Sequence, residues 1–188
     1  DALQGAGTEA VQAQLQKMLL ARYQAYSTQG LAGIAPYDRG GSSSDVAAEL
    51  RKASQSAAEL AKYMPAFQKV LVDYPKATVP GLEQRFRWVS YDISGTPTFV
   101  LTQTLAGADG DANVVVQRQF YVSTGYNAEQ AVAGFLPVQE GTIVVYSNHT
   151  FTDQVAGFGG SLKRDVGRRM MVSKLKAMFE TARKQVAR

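Results

Sequence analysis

The chain has no cysteine and only one histidine among its 188 residues. The first absence excludes disulfides and thiolate metal sites. The second leaves His149 alone for any imidazole chemistry. A metal would therefore have to rest on carboxylates, and Asp109 and Asp111, which share only a Gly110 turn, supply too few oxygens for a calcium loop. Charge is sparse as well, at 19% of residues, with 20 Lys and Arg against 16 Asp and Glu. A net charge of +4 is far milder than the basic bias of a nucleic-acid binder, and none is expected as a partner. No apolar run approaches the roughly 20 residues that a membrane-spanning helix needs. Internal repeats, low-complexity tracts and cofactor motifs are missing too, and no cofactor is expected.

What is present reads as one α+β domain, helical over 1–80 and made of a sheet plus a terminal helix over 81–188. Val11, Leu15, Met18, Leu19, Arg22, Tyr23 and Tyr26 recur every three or four residues, the stripe of an amphipathic helix. Gly30, Gly33 and Pro36 stop it. A second helix, capped by Ser44 or Asp45, turns Val46, Leu50, Ala53, Ala57, Leu60 and Met64 inward. Pro65 fits the first turn of a short third helix with Phe67, Val70, Leu71 and Tyr74 on one side.

From Glu83 the period falls to two. Strands are expected over 85–93, 98–105, 114–123 and 141–151, with turns at Ser94-Gly95-Thr96-Pro97 and Gly107 to Asp111. Such short turns make antiparallel neighbours, hence a meander. The segment 128–134 reads as one or two helical turns or a bulged loop. In the last strand Ile143 and Val145 stand against Val144 and Tyr146, so both its faces read as covered. After Gly157, Gly159 and Gly160, Ser161 opens a long amphipathic helix with Leu162, Val166, Met170, Met178, Phe179 and Ala182 facing in. The sheet is expected to pack against this helix.

One residue breaks the pattern. Val114, Val116, Arg118, Phe120 and Val122 form the apolar face of their strand, and Arg118 interrupts it. A buried guanidinium costs several kcal/mol unless it is paired. It needs a ligand, a core acid or the carbonyls of a helix end. On the same parity the neighbouring strand offers Phe99, Leu101, Gln103 and Leu105, so Gln103 and Arg118 come together as polar handles for a carboxylate or phosphate. Trp88 and Phe86 share one face of the first strand. The ligand-contacting set is accordingly Arg118, Gln103, Trp88, Phe99, Leu101, Phe120, Tyr146 and Met170. Tyr and Met side chains at the ends of the sheet suit an adaptable apolar pocket or simply a filled core.

Val114 to Val122, Thr142 to Phe151 and the helix from Ser161 to Ala187 resemble the second half of the START-like, helix-grip group. Two or three helices precede the sheet here, where that group has a helix and a strand pair. The resemblance implies a lipid or other apolar molecule held between the sheet and the C-terminal helix.

Two other classes compete. An enzyme on the same scaffold would use His149 with Asp153 and a nearby Ser or Tyr, such as Tyr126, as acid and base. A cell-envelope interaction module would use the basic end helix (Lys163, Arg164, Arg168, Arg169, Lys174, Lys176, Arg183, Lys184 and Arg188) against an acidic protein or an anionic membrane. The glycine run before that helix reads as a hinge or a phosphate cradle. Asp1 in place of Met is what signal-peptide removal leaves, so a periplasmic or secreted location is expected, with the cytoplasm as the alternative.

Overall fold

The computed structural model describes residues 7–38, 43–93, 95–153 and 160–186. The chain forms two compact units, Asp1–Phe151 and Thr152–Arg188. The first opens with helix α1 (Thr8–Gln29), a single 3₁₀ turn (Gly30–Gly33) and a two-stranded ribbon of β1 (Tyr37–Asp38) and β2 (Ser43–Ser44). Helices α2 (Val46–Ser56), α3 (Ala58–Tyr63) and α4 (Pro65–Asp73) follow. Strands β3 (Glu83–Ile93), β4 (Thr96–Asp109), β5 (Ala112–Val122), β6 (Ala128–Val138) and β7 (Gly141–Phe151) complete the unit. The second unit carries helix α5 (Gly160–Val186).

Local chemistry sets the helix ends. Gly30 closes α1 at φ 60°, and a Cβ there would lie 1.8 Å from the Tyr74 carbonyl oxygen, so only glycine fits. Asp45 caps α2, its carboxylate accepting from the Ala48 N–H at 2.9 Å. The helix expected to run on to Met64 breaks at Ala57 into α2 and α3. Pro65 starts α4 as expected, and Phe67, Val70, Leu71 and Tyr74 are all buried. The α1 stripe is narrower than its periodicity predicts: Leu19 and Tyr26 are buried, while Val11 and Tyr23 are exposed.

The sheet is an antiparallel meander in the order β3-β4-β5-β6-β7. Three corrections to the sequence reading come from its register. Strand β4 runs on to Asp109, so the turn shrinks to the residues around Gly110 at φ 62°. Residues 128–134, read as helical turns or a loop, belong to β6, paired with β5 on one side and β7 on the other. Ala, Glu and Gln favour helices in isolation, but two flanking strands override that preference. The alternation in β5 also fails at Phe120. Leu101 pairs with Tyr121 and Thr102 with Gln119, so Phe120 is the extra residue of a β-bulge, and both Phe120 and Tyr121 reach one core.

That core lies between one face of the sheet and the N-terminal helices. Its first cluster gathers Leu19 and Tyr26 of α1, Val46 and Leu50 of α2, and Leu101, Phe120 and Tyr121 of the sheet. A second joins Phe67, Val70 and Leu71 of α4 to Leu105, Val114 and Val116. The face expected to meet the C-terminal helix is thus filled by α1, α2 and α4. In α5 itself Met178 and Phe179, read as inward, are exposed, while the side chains of Leu162, Val166 and Met170 lie outside the described residues. Strand β7 is also barer than expected: Ile143, Val144 and Val145 are 53%, 42% and 56% exposed.

Candidate functional site: a buried guanidinium and an apolar cavity

Register places Phe86, Gln103, Arg118, Gln130 and His149 side by side across the five strands. Arg118 is wholly buried. Its Nε donates to Gln130 Oε1 at 3.0 Å and its Nη2 to the same oxygen at 2.7 Å. Nη2 also donates to Ser54 Oγ at 3.0 Å and to the Leu71 carbonyl at 2.8 Å, while Nη1 donates to the Tyr26 hydroxyl at 3.1 Å. Tyr26 donates in turn to Gln103 Oε1 at 2.6 Å. Arg118 and Gln103 thus meet through a tyrosine hydroxyl, in the place where the sequence suggested an anion.

Every one of these acceptors is neutral. Burial pushes the Tyr26 hydroxyl above its ordinary pKa of 10.0, and the Arg118 charge only partly opposes this. Tyr74, stacked on Tyr26, is pushed up to about 12, by burial first and then by its tyrosine neighbours. Among the described residues no carboxylate pairs with Arg118. The amide nitrogens of Gln103 and Gln130 are buried without partners there, so donors outnumber acceptors around the guanidinium.

The Leu71 carbonyl has a plain reason to need Arg118. It lies in the last turn of α4, and the residue four positions on is Pro75, which has no N–H to return. Arg118 therefore caps a helix end, one of the roles open to it from sequence. The other end of α4 is served from the same hairpin, where Asp109 Oδ2 accepts from the Phe67 N–H at 3.0 Å. A cation at the C-terminus and an anion at the N-terminus both suit the helix dipole.

The cavity lies elsewhere. About 430 Å³ in volume, it opens between α1 and the sheet and is lined by Gln16, Leu19, Leu20, Tyr23, Phe86, Arg87, Trp88, Leu101 and Phe120. Trp88, Leu101 and Phe120 of the expected ligand set come together here; Arg118 and Gln103 do not line it. Phe99 shares the sheet face of Leu101 and is half-buried away from the lining. Tyr146 sits on the opposite face, where Asn148 Nδ2 donates to its hydroxyl at 3.4 Å. The Met170 side chain lies outside the described residues. Sequence reasoning missed Tyr26, Ser54 and Gln130 as Arg118 partners and the whole α1 wall of the cavity. Its one available signal was the Leu19–Tyr23 part of the α1 stripe.

The proposed enzymatic set is divided. His149 Nε2 lies 3.3 Å from Ser56 Oγ. Tyr126 instead donates to Gln119 Oε1, beside Glu129 and Thr150 on the other face of the sheet. Asp153 is exposed. Of the basic residues in α5, Arg169, Lys176, Arg183 and Lys184 are exposed; the side chains of the other four lie outside the described residues, as do Arg188, Gly157 and Gly159. No group of three metal-ligating side chains occurs among the described residues, and none of their helices is long and apolar enough to cross a membrane.

Comparison with known proteins returns no matching family model, no matching curated protein and no matching solved structure.

Proposed function

We propose that the protein binds an apolar or amphipathic small molecule, lipid-like in its chemistry, between α1 and the sheet. The cavity carries this reading. Its volume falls within the range of small-molecule sites, and its wall is mostly aliphatic and aromatic with two polar members. Gln16 and Arg87 would receive the polar end of an amphipathic ligand, and Leu19, Phe86, Leu101 and Phe120 its apolar body. The helix-grip resemblance points to the same ligand class, with α1 supplying the helical wall of the cavity. The enzymatic alternative rests on the Ser56–His149 contact. Among the described residues nothing orients the second ring nitrogen, and the pair lies outside the cavity lining. Binding is the better reading.

Trp88 is the chain's single tryptophan and is 63% exposed, so it reports occupancy directly. Titration with a medium-chain fatty acid should shift its emission to the blue and enhance it. Leu20→Trp, which fills the cavity, should weaken binding about tenfold or more, a cost near 1.4 kcal/mol; its effect is read by native mass spectrometry. No shift across fatty acids, alcohols and sterols, with no molecule recovered by organic extraction, would refute the reading.

A further inference from the structure

The two edges of the sheet are chemically unlike. Edge strand β3 carries Glu83, Arg85, Arg87 and Asp92, whereas β7 has no charged residue from Gly141 to Phe151. Charged side chains are how an edge is kept from pairing with another chain. Strand β7 lacks them along eleven residues and leaves Ile143, Val144 and Val145 exposed. It is also free of proline. We infer that β7 is a dimerisation edge that pairs antiparallel with β7 of a second copy, about a two-fold axis at Val144.

Self-pairing is favoured by the order of the residues. An antiparallel pair about a dyad places residues whose numbers have a constant sum opposite one another, and a dyad at Val144 sets Ile143 against Val145 twice over. Val144 meets itself, Thr142 meets Tyr146, and Glu140 meets Asn148. All three exposed aliphatic residues then face one another, and no like charges are opposed. A partner with the chemistry of β3 would set charges against this aliphatic run. The interface is isologous and closes at two copies. A single strand edge lies at the small end of protein interfaces, below about 1,200 Å², so the dimer is concentration-dependent.

The absence of cysteine supplies the test. Sedimentation equilibrium of the full, unsubstituted chain should show the dimer mass rising with concentration. The full chain with Val144→Cys should then form an intermolecular disulfide roughly tenfold faster than one with Val89→Cys on β3, because only residues opposed at the dyad reach disulfide geometry. Val144→Lys should return the monomer mass. A monomer at all soluble concentrations of the unsubstituted chain overturns the proposal, even if the substituted chains fail to fold. Equal cross-linking at 144 and 89 overturns it too, as does a dimer that survives Val144→Lys.

Discussion

A guanidinium held out of water by neutral acceptors alone depends on geometry and not on charge pairing. Arg118 has four such acceptors, and the fork of its side chain reaches groups 12, 64 and 92 positions away in sequence. Arg118→Ala removes the cap of the Leu71 carbonyl, takes the guanidinium donor from Ser54, leaves Gln130 Oε1 with the Ser54 hydroxyl alone, and opens a cavity. Urea unfolding should show a loss of about 3–5 kcal/mol. Arg118→Lys keeps the charge but not the fork and should lose roughly 1–3 kcal/mol. A loss under about 1 kcal/mol for the alanine variant would show that the network is not structural. The Gln103–Arg118 adjacency was legible because parity on two neighbouring strands fixes which residues share a face. Tyr26 and Ser54 were not, since they come from helices whose docking no local pattern encodes.

The β6 strand shows how a neighbour decides what an element is. Its Glu129 lies half-buried beside Gln119, Asn148 and Thr150, and burial lifts its carboxyl above the ordinary range, with bonds from Asn148 and Thr150 opposing. An acid whose folded pKa is raised binds more protons folded than unfolded. Stability is then fullest below the unfolded pKa, near 4.3, and falls as pH rises through the folded value. Glu129→Gln should therefore melt higher than the parent at pH 7, and the gap should close toward pH 4. A gap independent of pH would mean that the carboxyl is not desolvated. From sequence the same segment read as helical turns or a bulged loop, because its alanines and glutamine carry helix propensity and its strand alternation is weak. Pairing on both sides settled the matter. The β5 bulge was hidden for a related reason, since Phe120 and Tyr121 are both apolar and either could face the core.

At the scale of the molecule, the succession of a helical part, an antiparallel meander and a terminal helix was readable from periodicity, whereas the identity of the helices over the sheet was not. An amphipathic stripe says that a helix has something to bury, not where. The choice of α1, α2 and α4 as the cover rests on long-range contacts such as Asp109 to α4 and Arg118 to its far end. At nine residues, α4 is shorter than the roughly 12–15 at which an isolated helix becomes even marginal in water. Its two ends are held by a single hairpin, so fraying from either end costs a charged contact as well as a turn. Native-state hydrogen exchange should find Val70 and Leu71 opening with the same free energy as Val116 and Arg118, and not ahead of them. Much faster exchange in the helix would break that link. The β4–β5 hairpin and α4 should then behave as one foldon, in which the strand pair must be made before the helix can persist.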